Sequence, residues 1–182
     1  MQPIKSLIQS LAKLADSEHY LFALEDLRAL FPDLSDSAFK TVMSRAVSSG
    51  VLVRVCRGIY LYDRVDYPRG LVLFHAAARL RADIFNYLSL ETVLSDAGVI
   101  SQVLINRITL MSSGRSHVIS CGKFGTIEFV HTSQLPADLA PDLIYDVACH
   151  LWRASVPQAL RDMRATRRSL DLVDWSVANE FI

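Results

Sequence analysis

Histidines, cysteines and clustered carboxylates are the side chains that most often carry covalent or metal chemistry. In this chain of 182 residues they are scattered. His19, His75, His117, His131 and His150 lie far apart, and Cys56, Cys121 and Cys149 form no CxxC pair. That spacing offers neither a zinc site nor a disulfide framework and reads as reduced thiols. Cys56 reads as a small packing residue, and Cys121 has no identifiable base. His117 and His131 could meet Glu128 on adjacent strands, but Glu128 and His131 differ by three and so face opposite sides of a regular strand. His75 reads as a structural residue on a helix. The sequence has no P-loop, GxGxxG, GxSxG or HExxH motif. A non-enzymatic protein with no cofactor and no metal is expected.

Side chains suited to recognition, by contrast, are concentrated. Ser37, Lys40, Thr41, Ser44, Arg45 and Ser48 share one side of a helical pattern, and Arg54 and Arg57 follow in "VLVRVCRGIYLY". Short hydroxyls with interspersed cations can reach base edges and phosphates. A polar face belongs to every amphipathic surface helix, so the surrounding elements decide between the two readings.

Those elements have a telling order. Ile4, Leu7, Ile8, Leu11, Leu14 and Ala15 recur at helical spacing. "HYLF" is a short extended link, and "ALEDLRALFP" is a second helix stopped by Pro32. In "LSDSAFKTVMSRAVSSG", Phe39, Val42, Met43, Ala46 and Val47 form the apolar stripe of a third. Ser35 is its expected N-cap, Asp36 suits its first turn, and Gly50 suits its end. A tight hairpin comes next, with Gly58 in the turn, Val51, Val53 and Val55 facing inward and Arg54 outward. Helix, short helix, turn, helix and hairpin is the order of a winged helix-turn-helix. Its third helix would enter the major groove, and its hairpin would hold the neighbouring backbone.

Composition limits how DNA could be held. Lys and Arg total 19, as do Asp and Glu, so the formal net charge is zero. That balance disfavours a nonspecific polyanion binder but permits a local basic face. No apolar run approaches the roughly 20 residues of a membrane span, and the amino-terminal stretch lacks the apolar region of a secretory signal. A cytoplasmic protein is expected.

"DRVDYPRG" at 63–70 marks a boundary, giving a DNA-binding domain over 1–64 and a C-terminal α/β domain over 65–182. The fold class is α+β, the second domain carrying a small antiparallel sheet. "LVLFHAAARLR" reads as a buried helix. Ser89 is expected to cap a short helix buried through Leu90, Val93, Leu94 and Ala97. Two or three antiparallel strands are expected near 107–112, 116–121 and 126–131. From "LIYDVACHLW" onward the chain reads as helical, with Pro157 separating two segments. In the second, Arg161, Arg164 and Arg168 share a face; with Arg167 they form a candidate second basic surface.

With these segments in view, the chain resembles AbiEi-type antitoxins of bacterial type IV toxin–antitoxin systems. The resemblance rests on "EDLRALFP", "GVLVRVCRGIYLY", "YLSLETVLSDAGVIS" and "LRDMRATRRSLDLVDW". It implies a winged-helix domain that binds inverted repeats in its own promoter and so represses its operon. It also implies a C-terminal domain needed for antitoxicity and a nucleotidyltransferase-like toxin as functional partner. Carried over by position, Lys40, Thr41, Ser44 and Arg45 would lie on the recognition helix and Arg57 on the wing. A homodimer on double-stranded DNA would suit a symmetric operator, although no heptad pattern supports one. Two other readings remain open: a protein-interaction module that binds a partner toxin, and an effector-gated regulator.

Overall fold

The computed structural model describes residues 2–102 and 105–182. It is an α+β fold that divides into two compact units, Met1–Val72 and Leu73–Ile182. Among the described residues no helix is long and apolar enough to cross a membrane.

The first unit contains α1 (Pro3–Leu14), β1 (Leu21–Ala23), α2 (Leu24–Ala29), α3 (Asp36–Ser48), β2 (Val53–Cys56) and β3 (Ile59–Leu61). Its sheet has the order β1-β3-β2, all antiparallel. The "HYLF" link is thus partly a strand, pairing Leu21 with Leu61. Leu7 and Leu11 of α1, Leu27 of α2, and Phe39, Val42, Met43 and Ala46 of α3 form one core with Leu52. Leu14, by contrast, is exposed. The helical spacing of these residues put them on facing stripes, which is why this small unit has a core at all.

The division into units falls at the start of α4, not after residue 64 as the sequence suggested. Val65 packs against the first core, and the Tyr67 ring stacks on Tyr20 with centroids 4.6 Å apart. These contacts keep the polar "DRVDYPRG" stretch with the first unit.

The second unit holds α4 (Val72–Leu80), β4 (Asn86–Leu88), α5 (Leu90–Asp96), β5 (Arg107–Ser112), β6 (His117–Ser120) and β7 (Thr126–His131). These are followed by α6 (Pro136–Leu139), β8 (Leu143–Asp146), β9 (Leu151–Ala154), α7 (Val156–Ala165) and α8 (Trp175–Ala178). The sheet is larger than expected and mixed rather than purely antiparallel: six strands lie in the order β6-β7-β5-β4-β9-β8, with β4–β5, β6–β7 and β8–β9 antiparallel. Strands β5 and β7 pair in parallel, as do β4 and β9. The three strands expected between 107 and 131 are present, but β6 lies at the edge, paired only with β7. Tyr87, Leu88, Leu110, Ile127 and Phe129 are almost wholly buried in the inner strands, as expected where both sheet faces are covered.

Residues 143–154 form a hairpin, where a helix was expected. The Asp146 carboxylate accepts the Cys149 amide (3.0 Å) and Arg153 Nε (3.0 Å), and His150 adopts φ +57°. An aspartate bonding its own backbone a few residues on, with a left-handed residue beside it, is turn chemistry. Pro157 then falls in the first turn of α7, where its missing N–H costs nothing. Ser155 provides the cap, accepting from the Gln158 amide.

Candidate nucleic-acid interface

Helix α3 forms where it does because both ends are specified. Ser35 Oγ accepts the Ala38 amide at 3.3 Å, as its type and position suggest. At the other end Gly50 takes φ +71°, and the Val51 amide returns to the Ala46 carbonyl at 2.9 Å. Turning that residue left-handed aims the chain into β2. Between the caps, Phe39, Val42, Met43 and Ala46 are buried, while Ser37, Lys40, Thr41, Ser44, Arg45 and Ser48 are all exposed. Val47, expected to be inward, is 37% exposed.

Arg28 of α2 holds the connection into α3. Its guanidinium donates to the Phe31 carbonyl and to the Leu34 carbonyl (2.7 Å), and lies 3.5 Å from Asp36. It also sits 5.3 Å from the centre of the Phe39 ring. One cation thus ties together two carbonyls of the turn between α2 and α3, that of Phe31 also accepting the Leu34 amide. No sequence pattern announced this role, because its partners are backbone atoms.

In the hairpin Arg54 is exposed opposite Tyr60. A register shift between Arg54 and Cys56 lets Val55 and Cys56 both turn inward, so strict alternation ends there. Arg57 stands exposed on the turn, and Gly58 takes φ +84°. The Gly58 carbonyl accepts the Leu24 amide at 2.9 Å, tethering the turn to the start of α2. Among the described residues, no intramolecular carboxylate pairs with Lys40, Arg45, Arg54 or Arg57.

The arginines of the candidate second surface are arranged differently. Helix α7 ends at Ala165, so Arg167 and Arg168 do not continue its face. Arg161 bonds Asp142 at 2.5 Å and also Gln158. Arg168 joins Glu91 (2.7 Å) and Glu128 (2.5 Å), and Glu128 also binds Arg107 (2.7 Å). Burial alone would raise the Glu128 pKa. The bonds from Arg107 and Arg168 outweigh it and hold the carboxyl below its usual range. Arg164 lies 5.7 Å from the Trp175 ring centre, and Arg167 is exposed with φ +55°. Two of the four are therefore neutralised within the unit.

The histidines form no site with Glu128 or with a cysteine among the described residues. His117 lies opposite Phe129, His131 bonds the Gly114 carbonyl, and Glu128 is engaged by the arginines. His75 bonds the Ala148 carbonyl at 2.7 Å and stacks on His150. Burial pushes the Cys149 thiol up to about 11. Among the described residues no group of three histidines, cysteines or carboxylates is placed to hold a metal.

Sequence reasoning missed one polar centre. Asp162 of α7 is fully buried and accepts from Tyr87 (3.1 Å), Ser89 (2.7 Å), Gln134 (3.0 Å) and Gln158 (2.8 Å). Ser89 therefore does not cap α5; its hydroxyl is spent on this carboxylate. Burial and the neighbouring Asp162 charge push the Tyr87 phenol well up. Four donors converge on this one buried carboxylate, so its hydrogen-bonding capacity is met within the unit.

Compared with known proteins, the chain matches no family model, and no curated protein gives a significant match.

Proposed function

We propose that the first unit is a winged helix-turn-helix that binds double-stranded DNA in a sequence-dependent manner. One observation carries this reading. The exposed face of α3 is dominated by short hydroxyls and the cations Lys40 and Arg45, with Asp36 at its start and Val47 at its edge, and among the described residues these cations, like those of the following hairpin, have no carboxylate partner. Opposite charges at i,i+4 on a helix face stabilise one another, yet Asp36, four residues before Lys40, lies beside Arg28 instead, which leaves Lys40 and Arg45 available. Thr41 and Ser48 donate back to the Ser37 and Arg45 carbonyls. Toward a groove they present acceptors, which suit the amino groups of adenine and cytosine.

In this reading α3 enters the major groove, Lys40 or Arg45 contacts base edges, and Arg54 and Arg57 hold phosphates. The protein acts without catalysis, in the cytoplasm. Following the resemblance to AbiEi-type antitoxins, it represses its own operon through inverted repeats, as a homodimer on the operator. It also counters a nucleotidyltransferase-like toxin. The test is Arg45→Ala against Arg57→Ala on a panel of duplexes selected by the parent protein. Loss of a guanine contact should cost about 1–3 kcal/mol at one base-pair position and relax preference there. Arg57→Ala should weaken all duplexes alike. Parent-like binding by both variants would refute the assignment.

A further inference from the structure

The first unit has a second feature that DNA reading alone does not use. A groove of about 1100 Å³ opens beside α3, walled by α2 and by the β2–β3 hairpin. Leu24, Phe39, Met43, Val47 and Tyr60 are among its apolar lining residues. Phe39 and Met43 are floor residues, only 5% exposed, whereas Val47 is open to solvent. Ligand sites commonly enclose about 300–1000 Å³ of mostly apolar surface with a few placed polar groups. The charges lining this groove are Glu25, Arg28, Asp36, Lys40 and Arg54, three cations against two carboxylates. Arg28 and Asp36 are committed to each other and to the α2–α3 turn. Beyond that pair, Lys40 and Arg54 outnumber the one remaining lining carboxylate, Glu25, and are the cations left to meet a ligand.

We infer that this groove is a binding site for a small amphipathic carboxylate, an acyl or aryl acid. Its apolar body would lie on Phe39, Met43 and Val47, and its head would meet Lys40 and Arg54. An apolar body explains why a groove beside a polar helix face is lined this way, which a phosphodiester strand would not. Lys40, Ser44, Ser48 and Arg54 both line the groove and belong to the proposed DNA surface. Occupancy therefore withdraws two cations from the duplex and weakens DNA binding. This regulatory consequence rests on the DNA-binding reading; the ligand site itself does not.

The test uses the full chain and a dansyl-labelled undecanoate, kept below its micellar concentration, with its methyl ester as the uncharged control. The acid should bind saturably, one per chain, and at least tenfold more tightly than the ester. Ala29→Trp, which adds a ring to an exposed position on the groove wall, should lower affinity at least tenfold. The exposed pair Lys40→Glu and Arg54→Glu should do so without disturbing the core, as circular dichroism would verify. The acid should also release duplex from the parent but not from Ala29→Trp. Non-saturable binding, equal affinity for the ester, or indifference to both sets of substitutions would overturn the site. A chain that binds the acid but no duplex would support the ligand site while refuting the DNA-binding reading.

Discussion

Arg57→Ala provides the sharpest separation of phosphate contact from other roles. Arg57 is exposed on the hairpin turn, and no internal carboxylate pairs with it among the described residues, so its removal leaves no buried group stranded. If Arg54 and Arg57 each neutralise one phosphate, together they contribute about −1.8 to the slope of log K against log salt. Losing Arg57 should flatten that slope by about 0.9. Over a fourfold rise in salt, from about 50 to about 200 mM, the variant should lose about 3.5-fold less affinity than the parent does. The measurement is fluorescence anisotropy of a labelled duplex titrated at several salt concentrations, and a random sequence suffices. Arg161→Ala is the control, since Arg161 is bonded to Asp142 and Gln158, and its slope should match the parent. An unchanged slope in Arg57→Ala, or an equal change in Arg161→Ala, would refute the placement of the duplex on the hairpin.

Two further expectations concern the second unit. Asp162→Ala leaves four donors facing a cavity, and the loss should be at least about 3 kcal/mol in urea unfolding, with Asp162→Asn milder; a change below about 1 kcal/mol would contradict the account of the centre. Glu128 has a depressed folded pKa, so its contribution is present above its unfolded pKa of about 4.3 and is lost as pH falls through the folded value. Thermal melts of the parent and Glu128→Gln should therefore differ near neutral pH and converge in acid.

Local signals read the first unit well because its decisive features lie within a few residues of each other. Ser35 and its amide partner, Gly50 and its returning bond, and the i, i+3, i+4 stripe of α3 all fall inside one window. The exposed set from Ser37 to Ser48 follows from the same periodicity, and Arg54 and Arg57 from the short hairpin beside it. The groove is different: its lining comes from α2, α3 and the hairpin, and no single window contains it. The second unit resisted for the same reason. Asp162 meets Tyr87 and Ser89 more than seventy residues away, and β5 pairs in parallel with β7 although β6 comes between them in sequence and lies at the sheet edge. "LIYDVACHLWRA" misled because a short apolar run suits either periodicity, and only the Asp146 turn resolves it.

The bond from the Leu24 amide to the Gly58 carbonyl bears on how the hairpin can diverge. Its turn is only two residues long, and one of them is anchored to the segment that begins α2. Lengthening the loop to reach farther along a duplex would have to sever that anchor and would disturb the lead into α3. A descendant of this protein can therefore more readily change which side chains the turn displays than how far the turn extends.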